Sequence, residues 1–185
     1  HGLRATIRVS VPGLVLAMVL GMSIAVAMSQ EQWLERSLYP YAVILQTIPI
    51  LAIVPLIGLW LGFEFTSRVV VCVLLALFPI ITNTLFGLKS VDPGLHDLFT
   101  LQHANRWTRF VKLQFPAATP AMFTGFRISA GLVVIGAIVG GFFFRRGDPD
   151  LGILLDAYRS QLRTAELFGA IFLSSLLGLS VFWIF

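Results

Sequence analysis

Residues 69–88 read VVVCVLLALFPIITNTLFGL, twenty consecutive positions without a charged side chain. A bilayer core of about 30 Å takes roughly 20 apolar residues as a helix, so this stretch has the length and the chemistry of one crossing. It shows no alternation of apolar and polar positions, which a membrane barrel strand requires. In lipid every backbone polar group must be bonded internally, and a lone segment satisfies that only as a helix. Four more stretches read the same way: 9–28, 41–61, 117–144 and 167–185, with Arg127 the one charge among them. The stretch 117–144 exceeds one straight crossing and is expected to tilt or to extend beyond the core. The expected fold is all-α, a polytopic transmembrane helical bundle of five spans forming a single domain over 1–185.

Composition agrees with that reading. Of the 185 residues 57% are apolar before Gly is counted and 12% are charged, with a mean hydropathy of +0.90. Soluble domains average about 25% charged residues, and a globule of this size could not hide so much apolar surface from water. A soluble enzyme, a disordered tail and a disulfide-stapled secreted domain are excluded. Lys and Arg outnumber Asp and Glu by 13 to 9. These charges flank apolar runs instead of forming a basic stripe, the pattern of a membrane protein and not of a nucleic-acid binder. The single Cys72 lies inside an apolar run and reads as a small buried hydrophobe. A start at His1 and a stop inside the apolar run 180–185 predict a segment of a longer protein.

The connections carry their own signals. Residues 29–40 form a polar connection with Glu31, Glu35 and Arg36, and Trp33, Tyr39 and Tyr41 are placed as interfacial aromatics. Residues 64–68 read as a tight turn. In 89–116, Asp92 followed by Pro93 is an N-cap with a first-turn proline. Leu95, Leu98 and Phe99 then repeat at helical spacing opposite His96, Asp97 and Gln102. Asn105 caps a second short helix with Trp107, Phe110 and Val111 on one side and Arg106, Arg109 and Lys112 on the other, and Pro116 opens the fourth span. Such helices either lie in the membrane interface or dock into a partner's groove. In 145–166 the charges Arg145, Arg146, Asp148, Asp150, Asp156, Arg159, Arg163 and Glu166 read as a solvated segment. Leu151, Leu154, Leu155 and Tyr158 give it a helix with one apolar side.

No catalytic constellation is visible. His1, His96 and His103 lie at no metal-ligand spacing, and neither a phosphate-binding G-x-x-x-x-G-K-[ST] loop nor a G-x-S-x-G elbow occurs. The chain is expected to bind no metal or cofactor, and ATP, if used, belongs to another subunit. Polar residues inside spans carry more information, because each needs a partner or a wet cavity. Gln46, Asn83 and Arg127 are pathway or gate candidates; the other reading is interhelical bonding or, for Arg127, snorkelling. Arg127 lies eleven residues past Pro116, roughly 16 Å along a helix. Pro49, Pro55 and Pro79 interrupt spans, either lining a cavity or kinking a packed helix. Trp60 joins the pathway candidates. Gly136 and Gly140 form a small-xxx-small pair suited to close packing, within the chain or against a second subunit.

The stretch from Asp97 to Pro116 resembles the cytoplasmic coupling loop of binding-protein-dependent ABC importer permeases. That loop has the form E-A-A, three residues, Gly, nine residues, Ile-x-Leu-Pro. Here it stands as Asp97-Leu98-Phe99, three residues, His103, nine residues, then Leu113-Gln-Phe115-Pro116. Asp replaces Glu, Leu-Phe replaces Ala-Ala, and His103 stands at the Gly position. Three further stretches are similar to successive helices of the nitrate, sulfonate, taurine and pyrimidine-precursor branch. They are Gln46-Thr-Ile-Pro49 with Pro55 and Leu59-Trp60; Phe78-Pro79 with Asn83 and Asp92-Pro93; and Pro116 to Pro120 with Gly125-Phe-Arg127.

The resemblance implies a type I ABC importer permease fold in a bacterial cytoplasmic (inner) membrane, with one further span before His1. It implies that 89–116 faces the cytoplasm and 145–166 the outside. Asp97, Leu98, Phe99, Leu101, His103, Ala104, Arg106, Leu113, Phe115 and Pro116 would then meet an ATP-binding subunit, which holds ATP and Mg. A second permease, identical or homologous, and an extracytoplasmic solute-binding protein complete the set. The implied solute is a small organic or anionic compound: a sulfonate, taurine, nitrate, or a thiamine-pyrimidine or similar vitamin-like molecule. The alternative is a self-sufficient channel or secondary transporter, for which neither a buried acidic residue nor an inverted repeat is visible.

Overall fold

The computed structural model describes residues 2–145 and 149–185; His1, Arg146 and Asp148 lie outside them. The chain opens with α1 (Gly2–Gln30), followed by α2 (Gln32–Thr47) and α3 (Ile50–Leu61). The expected span 41–61 is therefore not one helix. α2 already includes 32–40, read above as a polar connection, and α2 and α3 meet at an angle of 101°. The break has a local cause. Pro49 offers no backbone N–H and pushes the preceding residue out of the helical region, and Ile48 sits at φ −64°, ψ 125°.

α4 (Phe65–Lys89) is the central helix. The expected turn 64–68 is largely its first turn, which places Arg68 on a helix. Beyond it come α5 (Pro93–Leu101) and α6 (Arg106–Arg109). A π-helical turn (Phe110–Gln114) then leads into α7 (Phe115–Phe144) without a break. Pro116 therefore lies inside a continuous helix of 39 residues and does not open a new one. A proline lacks the N–H of the regular ladder, and its ring collides with the carbonyl four residues back. The wider turn ahead of it relieves that crowding: the Phe115 N–H reaches Phe110 O, five residues back. α8 (Leu151–Ser160) and α9 (Thr164–Ile184) complete the chain. Among the described residues, four helices are long and apolar enough to cross a membrane, five if the bent pair counts as one span.

α4 is gripped on two sides. Gly13 and Gly21 of α1 lie against Cys72 and Ile80. From the other side, a Cβ on Gly136 of α7 would stand 2.9 Å from the Cys72 Cα, and one on Gly140 3.4 Å from the Arg68 Cα. The small-xxx-small pair thus packs α7 onto α4 of its own chain. The Ser129 hydroxyl donates to Ala76 O at 2.8 Å, and the Cys72 thiol to Val133 O at 3.4 Å. Lipid offers no hydrophobic gain between helices, so close backbone approach and such bonds carry the association. α2 packs through Ala42 against Met28, Leu77 and Ile81. α3 packs through Val54 and Ile57 against Val71 and Phe144, nearer the other end of α4.

Candidate functional site

α5 stands off the bundle. The Asp92 carboxylate accepts the Gly94 N–H at 2.6 Å and starts the helix, no residue of which is buried. Leu95, Leu98 and Leu101 recur every three residues on its uncovered side, Leu101 with 78% of its surface exposed. Asp97 is exposed, while Phe99 and Ala104 are half-buried. The chain reverses at His103, whose φ is +52°. There the Ala104 N–H closes on Phe99 O at 3.0 Å. A left-handed residue at this position suits glycine best, and here histidine adopts it.

Asn105 then accepts the Thr108 N–H at 2.7 Å and starts α6 as expected. Trp107, Phe110 and Phe115 follow as a chain of rings with centroids 5.8 and 6.0 Å apart. Leu113 is buried and Phe115 exposed. Two ion pairs tie this end of the molecule to α2: Arg106 to Glu31 and Lys89 to Glu35, both at 2.7 Å. Arg106 is thus already engaged within the chain.

The pathway candidates separate into two groups. Gln46 lines a cleft of about 290 Å³ beside the α2–α3 elbow, with Leu75 and Pro79 of α4 and Leu132 of α7. Leu132 also lines a groove of about 580 Å³ between α7 and α9, with Gly131, Ser174, Gly178 and Phe182. Arg127 is exposed, with its guanidinium carbon 5.8 Å from the centre of the Phe182 ring, at the side of that groove. Among the described residues no carboxylate pairs with it. Gln46 thus lines the first of two concavities that share Leu132, and Arg127 touches Phe182, which lines the second. Asn83 does not join them: its amide donates to Pro79 O at 2.8 Å and its Cβ lies beside Gly125. Pro49 forms the elbow, Pro55 is half-buried within α3, and Trp60 is 77% exposed at the far end of α3.

Sequence reasoning missed one pair. Arg68 donates from Nη1 to Asp150 Oδ2 at 2.6 Å, with side chains only 6% and 1% exposed. Asp150 is therefore not part of a solvated segment, a correction to the reading of 145–166. Its Oδ1 accepts the Ile153 N–H at 2.8 Å and caps α8. The carboxylate occupies the space where Gly141 has no side chain. Burial pushes the Asp150 carboxyl above the usual carboxylate range, opposed by the Ile153 amide and the Arg68 guanidinium. The available signal was position: an Asp immediately before an amphipathic run is an N-cap. Arg145 with Asp156, and Arg163 with Glu166, pair at the surface as a solvated segment would. Among the described residues no group of three or more His, Cys, Asp or Glu is placed to hold a metal ion.

Over residues 13–185 the chain matches the family described as the binding-protein-dependent transport system inner membrane component. The chain belongs to that family. It is 38% identical over 177 residues to the formylaminopyrimidine transport permease protein ThiX of Halalkalibacterium halodurans, covering 96% of this chain and 70% of that one. It is 34% identical over 151 residues to the riboflavin transport system permease protein RibX of Chloroflexus aurantiacus, covering 82% of this chain and 56% of that one. A solved structure, of an amino acid ABC transporter with histidines, superposes with a TM-score of 0.68 at 18% identity, covering 97% of this chain and 91% of its own. The fold is that of a type I importer permease. The chain is an ABC importer permease of the nitrate, sulfonate and pyrimidine branch and a multi-pass membrane protein.

Proposed function

We propose that this chain is the solute-conducting subunit of an ATP-driven importer in a bacterial cytoplasmic membrane. α5 docks in a separate ATP-hydrolysing subunit, and α8 meets a solute-binding protein on the outer side. The observation that carries this reading is α5 itself: a capped helix with Leu95, Leu98 and Leu101 uncovered, held off the bundle by the left-handed turn at His103. In this reading 1–185 is a single permease domain and 89–116 its coupling loop, with Asp97, Leu98 and Phe99 at the contact. ATP and Mg bind in the partner. ATP drives the switch because the docked loop fits the inward and outward states differently. A second permease faces the concavities around Leu132, so that Gln46 and Arg127 border the pathway. The solute is a small organic or anionic compound, supported by the solutes named for ThiX and RibX.

Gentle extraction from the native membrane tests this. An ATP-hydrolysing subunit should co-purify at equal stoichiometry and be lost when 97–103 is replaced by a Gly/Ser linker. A chain that purifies alone and transports in ATP-free vesicles would overturn the reading in favour of a channel or secondary transporter.

A further inference from the structure

The two carboxylate oxygens of Asp150 serve different elements. Oδ1 accepts from Ile153 N in α8, and Oδ2 accepts from Arg68 of α4. The next residue, Leu151, donates its N–H to the Thr6 hydroxyl of α1 at 3.1 Å. Gly141 of α7 leaves the space that the carboxylate fills, and Gly152 of α8 lies directly on the α7 backbone at Ile138. The N-cap and first two residues of one short helix are thus fastened to α1, α4 and α7 at the same end of the bundle. The far end of α8, at Arg159 and Ser160, is exposed.

We propose that Asp150, through its bond to Arg68, is the joint that makes α8 and the adjoining ends of α1, α4 and α7 one rigid body. A partner pressing on the exposed end of α8 then moves the membrane helices directly, instead of flexing a loop. That a binding protein is the partner rests on the importer reading above; the joint does not. Buried ion pairs recover little net stability after desolvation, and their best-attested use is to fix one arrangement among several. Asp150 is accordingly a positioning residue. Its loss should register as motion of α8 before it registers as unfolding.

The test uses spin labels on the assembled transporter in lipid, one at Ser160 on α8 and one at Thr66 on α4, both exposed. Cys72 is buried and stays unlabelled. The unsubstituted joint should give one narrow distance, the same with and without ATP. D150N retains an oxygen to cap α8 but presents no second acceptor to Arg68, which is only 6% exposed, so its melting temperature should fall. Well below that melting temperature its distribution should split or broaden. G141A, which puts a methyl group where the carboxylate lies, should broaden the distribution likewise with every charge retained, and its melting temperature should fall from overpacking. A narrow distance in both variants overturns the joint, as does a Ser160–Thr66 distance that changes with ATP in the unsubstituted protein. A second label pair, Tyr41 on α2 and Phe86 on α4, reads ATP-driven movement elsewhere. Its silence would count against the importer reading and leave the D150N and G141A comparison to judge the joint.

Discussion

Lys89, the last residue of α4, holds the Glu35 carboxylate of α2 at 2.7 Å, fastening the exit of the central helix to the start of the broken span. Glu31 and Arg106 make a parallel tie from the same end of α2 to α6. On the importer reading, these two ties would pass a push on α5 or α6 to the helix that ends at the elbow beside Gln46.

E35K and K89E each break the first tie. Lys89 is half exposed, so either change should move stability by no more than about 1 kcal/mol. ATP-driven uptake should fall in both single variants and recover in the charge-swapped double variant. Recovery should weaken with added salt, since exposed charges are screened. Unchanged uptake in E35K would show that the tie transmits nothing.

His103 pays a conformational cost at φ +52° that glycine avoids. H103G should stabilise the turn by about 1 kcal/mol, and H103V, branched at Cβ, should destabilise it. Hydrogen exchange at the Ala104 amide, which closes the turn on Phe99 O, reads both. Faster exchange in H103G would mean that the imidazole supplies something beyond geometry.

Two glycines of α7 should answer oppositely to the same added methyl group. At Gly136 it meets the Cys72 backbone, which cannot step aside, whereas at Gly131 nothing lies within 4 Å. G136A should cost about 1–3 kcal/mol and lower the melting temperature. G131A should stay within about 0.5 kcal/mol. Equal melting temperatures would place the close contact of α4 and α7 elsewhere.

Burial raises the Asp150 carboxyl above its ordinary range, so the folded chain holds this proton to higher pH than the unfolded chain does. Stability then declines as pH rises through the raised value, because the folded state binds more protons there. D150N removes that dependence. Melting curves from pH 4 to pH 8 should show the unsubstituted protein losing ground to D150N on the alkaline side. Parallel curves would mean that Arg68 fully offsets the burial of the carboxylate.

Long apolar runs were legible because lipid imposes a length and forbids unpaired backbone, so 69–88 could be little else. The caps at Asp92 and Asn105 were legible because their chemistry is local. The elbow at 48–49 was not. A proline inside an apolar run signals a break but not its angle, which depends on α2 packing near one end of α4 and α3 near the other. Pro116 misled for a related reason: a proline marks a helix start unless a widened turn precedes it, and nothing in the residues 110–114 announces one. Asp150 was misread because charge in a polar stretch looks solvated, and its partner lies 82 positions away. Gly136 and Gly140 declared close packing, while the choice of neighbour was settled only in three dimensions.

The π turn at 110–114 also sets a phase. It holds one residue more than an α-helical turn, and the helix beyond it runs unbroken through α7. Residues along a helix are offset by about 100° each, so removing a single residue from 110–114 would swing α6, and with it α5, about a quarter turn around the axis of α7. Substitutions there would leave the direction of α5 intact, whereas one deletion would turn Leu98 and Leu101 away from the side they now face. The chain counts residues at this point more strictly than it reads them.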